Sequence, residues 1–280
     1  MSDPEKIVCK PTHWFLFRAG VMVVMFSVFA FLFYKDGAIG YRRENATLFL
    51  RMAFETAAND YQAHAAKGPI SPTEWRKYAE TKTVSFVWGG APIGAAELPK
   101  EVQPGMAWPE PLRDAELLKS TQWSRLWEDY SAKWPAWKMD SIPPHKAHDA
   151  DAIAQQWIVF YICAALAATA LFFFVRTLGR SMAVDQEALY TQTGKRIPFG
   201  DLKRLDLRKW DTKGLAFADY QGAAGSGRAR LDGMTYGGFK KEQGEPAERL
   251  MQRIRAHFAG ELVEYVAADS GPADPPPAES

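Results

Sequence analysis

Two long runs of apolar residues interrupt the mixed pattern of polar and apolar positions along the chain. The first extends from Trp14 to Tyr34 and the second from Trp157 to Val175. A helix of about 20 residues rises far enough to cross the ~30 Å hydrocarbon core of a bilayer. The pattern therefore predicts two transmembrane helices, which we place at residues 14–34 and 152–175.

The first run contains one charged residue, Arg18. A charge near the bilayer centre costs about 3 kcal/mol on insertion scales. Because Arg18 lies close to Trp14 at the start of the run, we expect its long side chain to reach the headgroups; the alternative is a functional cation inside the membrane. A cleaved signal peptide fits less well, because the run is long and Tyr34-Lys35-Asp36 replaces a small-residue cleavage site.

Basic residues flank the two runs on their outer sides. Lys6 and Lys10 precede the first run, and Arg176 and Arg180 follow the second. Since basic flanks favour the cytoplasm, we expect both termini there: a short tail at 1–13 and a larger region from 176 onward. The intervening region 35–151 is long enough to be translocated whatever its own charges.

The region 35–151 is predicted to be an extracytoplasmic, mainly helical domain. Helices are expected at about Glu44–Ala66, from Ser71, and at about Thr121–Lys133. The second has a sharp start, because Ser71-Pro72-Thr73-Glu74 forms a capping box with the favoured proline.

Tryptophan is concentrated in this region, which holds seven of the ten in the chain. Trp123, Trp127 and Trp134 share one face of the last predicted helix. Such a face packs a core or contacts a ligand, and a small domain without disulfides needs large side chains to bury enough area. Core packing is the simpler interpretation, and ligand contact through these three residues is the alternative.

His145 and His148 precede the second run, beside Asp149 and Asp151. These are potential metal ligands, but their position favours a juxtamembrane connector in which Asp149 or Asp151 caps the following helix. The two cysteines, Cys9 and Cys163, belong to different segments and predict neither a disulfide nor a CxxC site.

After residue 176 the pattern changes to short alternating segments. Five strands are expected between Met182 and Leu231, with Gly222 to Gly227 as the last hairpin loop. An amphipathic helix follows from Pro246, with Gly260 as its terminator, and 267–280 is a Pro-rich acidic tail expected to be disordered. The fold class is therefore α+β, with antiparallel strands forming a small barrel or curved sheet capped by the C-terminal helix.

One segment follows the two predicted spans and precedes the terminal helix; it reads Gly194-Lys195-Arg196-Ile197-Pro198-Phe199-Gly200-Asp201-Leu202. In this order of elements the chain resembles bacterial membrane-tethered pleckstrin-homology-like domains. The resemblance covers about residues 181–259 of a predicted domain at 176–266. It implies a binding or scaffolding module in a bacterial inner membrane, and a complete barrel of that family has seven strands.

Charge in the C-terminal region suggests a contact surface. From Arg176 to Ala268 there are 16 Lys or Arg and 12 Asp or Glu, a net charge of +4. Exposed basic residues gain about 1 kcal/mol each near an anionic leaflet. The candidate contacts with membrane or protein partner are Lys203, Arg204, Arg208, Lys209 and Lys213, although interleaved aspartates also fit a merely solvated strand.

Enzyme signatures are absent from the sequence: it has no Gly-x-Ser-x-Gly, His-Glu-x-x-His, dinucleotide or kinase motif. We therefore predict no catalytic residue, no cofactor and no metal, and a net charge of +1 predicts no nucleic-acid partner. The expected function is a membrane scaffold that binds the bilayer and a protein partner, with homo-oligomers left open. The alternative is a sensor that binds an envelope ligand through the Trp-rich domain.

Overall fold

The computed structural model describes residues 6–134, 144–223 and 225–265. Its helices are α1 His13–Lys35, α2 Tyr41–Ala65, α3 Pro72–Glu80, α4 Ala115–Ser120, α5 Trp123–Ala132, α6 Ala150–Leu178, α7 Trp210–Lys213 and α8 Pro246–His257. Its strands are β1 Ile7–Cys9, β2 Val87–Trp88, β3 Ala91–Pro92, β4 Met182–Val184, β5 Ala188–Tyr190, β6 Arg196–Pro198, β7 Leu202–Lys209, β8 Leu215–Gly222, β9 Gly225–Asp232 and β10 Glu261–Val263. The predicted tail 267–280 and Trp137 lie outside the described residues.

The chain divides into two compact units. Residues 25–167 form a helical unit, and residues 1–24 with 168–280 form a strand-rich unit. Among the described residues, two helices are long and apolar enough to cross a membrane. Large apolar side chains on both remain exposed, including Phe31 on α1 and Phe172 on α6. The structure therefore shows two apolar helices in an α+β protein.

The first apolar helix continues without a break into the helical unit. Five π-helical residues, Asp36–Gly40, join α1 to α2, so Gly37 and Gly40 lie inside a continuous helix, and α2 begins at Tyr41, before the expected start at about Glu44. Arg42 donates hydrogen bonds to the carbonyl oxygens of Gly37 and Ala38, which holds this widened turn. Gly37 allows a close approach to α6, because a Cβ atom there would lie only 3.2 Å from the Gln156 Cβ.

The helical unit has an aromatic core between α2 and α5. Phe49 and Phe54 of α2 are completely buried together with Trp75 of α3 and Trp127 of α5. The expected start of α3 is confirmed: Ser71 and Glu74 form the capping box ahead of the helix. This part of the sequence therefore folds as a mainly helical domain, as predicted.

The strand-rich unit contains two four-stranded sheets. The first has the order β1-β4-β5-β6 and the second has the order β10-β7-β8-β9. Strand β1 lies before the first apolar helix and pairs antiparallel with β4, after the second. The residues that we expected to form an N-terminal tail thus complete a sheet of the C-terminal domain.

Of the two forms expected for this region, a small barrel or a curved sheet, the closed barrel is wrong. The described strands form two separate four-stranded sheets, and each strand of the first sheet has only three residues. The estimate of five strands between Met182 and Leu231 was also low, because β6 makes a sixth; β1 and β10 lie outside that interval. All pairs in these two sheets are antiparallel except β10 with β7, which is parallel.

Helix α8 covers the first sheet through contacts with β1 and β4. Its buried face consists of Ala247, Leu250, Met251 and Ile254. Gly260 does not terminate this helix, which ends at His257. Instead, a Cβ atom at Gly260 would lie 2.4 Å from the Lys203 carbonyl oxygen, so glycine permits the close approach of the chain to β7.

Candidate functional site

The outward face of the second sheet carries a group of charged and aromatic side chains. In β8, Ala216 and Ala218 are completely buried, whereas the intervening Phe217 and Asp219 are only partly buried. This two-residue alternation, expected from the sequence, directs Phe217 and Asp219 away from the core. Neighbouring strands place arginines beside them.

Asp206 of β7 anchors one of these arginines. Arg208 lies two residues further along the same strand, so the strand period places it on the same face as Asp206. Arg208 donates to both carboxylate oxygens, from Nε at 3.0 Å and from Nη2 at 2.8 Å. These hydrogen bonds lower the pKa of Asp206 from 3.8 to about 2, against the opposing effect of its burial.

Arg228 of β9 is held from three directions. It lies opposite Asp219 in the strand register, with 3.4 Å between its Nε and the Asp219 Oδ1. Its Nη2 lies 3.5 Å from the Asp206 Oδ2. Its guanidinium stands 4.6 Å from the centre of the Phe217 ring, within cation–π range. Arg228 is therefore oriented by fixed partners although its side chain is 54% exposed.

These residues surround an open cleft of about 450 Å³. Its lining consists of Asp206, Arg208, Lys209, Phe217, Arg228 and Tyr265. The lining contains three cations and one carboxylate, that of Asp206, and the Asp219 carboxylate lies beside the cleft. Guanidinium N–H groups bind carboxylates in a planar, two-pronged geometry, and the rings offer apolar surface. The cleft, which we call the arginine cleft, is suited to binding an acidic group with an apolar neighbour.

Only two of the five basic residues predicted as contacts line this cleft, namely Arg208 and Lys209. Arg204 lies 3.7 Å from Glu261 of β10, and the Lys203 Nζ donates to the Gly200 carbonyl oxygen at 3.3 Å. Lys213 is exposed at the end of α7. The five predicted contact residues therefore do not form one surface, because only two of them line the cleft.

Sequence reasoning did not select Arg228, Phe217 or Tyr265. Pairing β8 with β9 through a short Gly-rich hairpin would have placed Arg228 opposite Asp219. The hairpin loop was expected to run from Gly222 to Gly227, but the strands pair up to Gly222 and Gly225, so the connection is much tighter.

The three tryptophans predicted as a ligand face lie in or against the core of the helical unit. Trp127 is 2% exposed, and Trp123 and Trp134 are partly buried and pack against the same core. The Trp123 ring also lies 5.3 Å from the Arg51 guanidinium. These placements favour core packing over ligand contact.

Of the two histidines before α6, His145 is exposed and His148 is half-buried. His148 stacks on Tyr41 with ring centres 3.7 Å apart, and its Nε2 lies 2.7 Å from the Glu44 Oε2. Asp149 caps α6 by accepting a hydrogen bond from the Ala152 N–H at 2.8 Å, which confirms one of the two expected caps. Within the described residues, no group of three or more potential metal ligands is found.

No protein-family model, curated protein or solved structure matches this chain. Function must therefore be inferred from the arrangement of the chain's own residues.

Proposed function

We propose that the protein is a non-enzymatic scaffold of a bacterial cytoplasmic membrane that binds an acidic segment of a protein partner in the arginine cleft. In this proposal α1 and α6 cross the bilayer. The strand-rich unit then faces the cytoplasm and the helical unit lies outside.

The pairing of β1 with β4 supports this topology. These strands flank the two apolar helices in sequence, one before the first and one after the second, yet they share a sheet. Two crossings return the chain to its starting side, which is what a shared sheet requires. Arg176 and Arg180 after α6 favour the cytoplasm as that side.

The order of elements supports a pleckstrin-homology-like domain. Six antiparallel strands from β4 to β9, followed by the helix α8, agree with the strands-then-helix order implied by the resemblance at Gly194 to Leu202. With β1 and β10 the two sheets contain eight strands, one more than a complete barrel of that family. The helix α8 packs on the first sheet, whereas Arg208, Arg228 and Arg230 on the second sheet are exposed. Such domains act by binding, which agrees with the proposed role.

The cleft carries the proposal for a protein partner. Arg208 and Arg228 are 47% and 54% exposed, but Asp206 and Phe217 fix their orientation before any ligand binds. Pre-orientation lowers the entropic cost of binding. Because Asp206 and Asp219 offset much of the positive charge, this face lacks the unbalanced basic surface that favours a lipid bilayer. A carboxylate beside an apolar side chain, as found in protein segments, matches it better.

Site-specific photocrosslinking in cells tests the proposal. A photoreactive phenylalanine derivative replaces Tyr265, which is 76% exposed at the rim of the cleft. We expect a discrete protein adduct that disappears when Arg208→Glu and Arg228→Glu are combined. The matched control is Arg230→Glu, because Arg230 lies on the same strand and pairs with Asp232 at 2.8 Å, outside the cleft lining.

Three outcomes would contradict the proposal. The first is an adduct that persists after both charge reversals. The second is the same adduct formed from an exposed position such as Glu242, and the third is labelling of phospholipid alone by the derivative at position 265. An adduct at twice the mass of the chain would identify a second copy of the protein as the partner.

A further inference from the structure

A second groove lies at the start of the first apolar helix. It has a volume of about 560 Å³ and is lined on one side by α1 between Trp14 and Met22. Its other wall consists of Met234 and Thr235, in the connection between β9 and α8. Every lining residue belongs to the strand-rich unit. The size is ordinary for a ligand site, and the surface is largely apolar.

Arg18 is the one charged side chain in this lining. It is exposed, and no ion pair among the described residues includes it. The Trp14 ring lies 5.9 Å from its guanidinium. One helical turn separates the two residues, a rise of about 6 Å. An apolar groove with a cation near its end matches a molecule that has an acidic head and an apolar chain.

The wall opposite α1 is held in place by backbone hydrogen bonds. The Thr12 N–H donates to the Thr235 carbonyl oxygen at 2.8 Å, and the Thr12 hydroxyl donates to the Met234 carbonyl oxygen at 3.1 Å. Pro11 and Tyr236 form a β-bridge beside them. Met234, although anchored through its backbone, leaves 57% of its surface exposed toward solvent or lipid. The groove is therefore formed by the fold itself.

We propose that this groove binds one phospholipid with an anionic headgroup. The phosphate pairs with Arg18, and an acyl chain lies along Val21 and Met22. A zwitterionic headgroup would bring its own cation toward Arg18, whereas an anionic one does not. This inference rests on the bilayer placement of α1 proposed above, and it is independent of the arginine cleft.

Native mass spectrometry of the full-length protein, released from nanodiscs containing equal amounts of phosphatidylglycerol and phosphatidylcholine, tests the site. The wild type should retain one more phosphatidylglycerol than Arg18→Gln, whose affinity should fall about tenfold. Arg176→Gln is the matched control, because the Arg176 guanidinium also lies 5.9 Å from an aromatic ring, that of Phe172, but it does not line the groove. This control should retain phosphatidylglycerol like the wild type.

Two further variants separate the headgroup from the groove. Met234→Ala removes apolar wall and should weaken retention of both lipids alike. Arg18→Lys keeps the charge, so it should retain phosphatidylglycerol better than Arg18→Gln and serves if the glutamine variant does not fold.

The proposal is overturned if wild type and Arg18→Gln retain phosphatidylglycerol equally, or if Arg176→Gln loses it equally. Displacement by excess glycerol phosphate would also overturn it, because the groove would then contribute nothing. Extraction of membranes with alkaline carbonate distinguishes the two proposals. Release of the wild type from the membrane would contradict the proposal that α1 and α6 cross the bilayer. Retention of the wild type, together with unchanged lipid binding by Arg18→Gln, would contradict the lipid site alone.

Discussion

Replacing Asn45 with alanine should destabilise the helical unit strongly. Asn45 is completely buried on α2 and connects this helix to two distant segments. Its Nδ2 donates to the carbonyl oxygens of Glu97 at 2.9 Å and His148 at 2.7 Å. Its Oδ1 accepts from the His148 N–H at 2.7 Å. One side chain thus satisfies three backbone groups that the segments cannot satisfy themselves.

The magnitude follows from those three groups. Alanine leaves two carbonyl oxygens and one N–H without a partner, and each buried group of this kind costs about 1–3 kcal/mol. Water can reach part of the site, because the His148 side chain is 12% exposed, and alanine gains about 0.5 kcal/mol of helix propensity. We therefore expect a net loss of about 2–4 kcal/mol, or about 8–16 °C in Tm for a unit of this size.

The assay is thermal unfolding of the full-length protein in detergent, followed by tryptophan fluorescence. Seven of the ten tryptophans lie between residues 35 and 151, so the signal reports mainly on this unit. Asn59→Ala is the matched control, because Asn59 lies exposed on the same helix and gains the same propensity.

Asn45→Asp sharpens the test. It preserves the shape but loses both donors and places a carboxylate against two carbonyl oxygens, so it should be at least as destabilising as alanine. The reasoning is refuted if Asn45→Ala unfolds within about 2 °C of Asn59→Ala, a difference below ~0.5 kcal/mol.

Two further predictions concern the strand-rich unit. The Asp206 carboxyl binds a proton more weakly in the folded than in the unfolded chain, since its pKa falls from 3.8 to about 2. Its contribution of about 2 kcal/mol is therefore present above about pH 4 and disappears as the pH falls toward 2. Unfolding titrations of wild type and Asp206→Asn should converge in that range, and a difference independent of pH would contradict the assignment. Gly237→Ala should cost about 2–4 kcal/mol, because φ is +90° and the new Cβ would lie 2.8 Å from the Cys9 Sγ. Gly194→Ala, with φ of +80° but open space around it, should cost only about 1 kcal/mol in urea unfolding, and equal losses would show that the contact is irrelevant.

Local signals in the sequence predicted local structure well. The capping box at Ser71 and the cap at Asp149 depend on residues within one helical turn, so neighbouring residues suffice to specify them. The alternation in β8 likewise follows from the strand period alone. Long-range pairings left no such signal: β1 precedes the first apolar helix, and nothing within Ile7–Cys9 indicates a partner at Met182–Val184.

The arginine cleft shows the same division. The sequence alone is enough to predict that basic residues are concentrated around β7, that two apolar helices separate the chain, and that the last helix is amphipathic. The strand period also places Asp206 and Arg208 on one face of β7. The approach of Arg228 depends on how β7, β8 and β9 pair, which the folded structure shows. Side-chain periodicity is a local property of the backbone, whereas register between strands depends on the packing of the whole sheet.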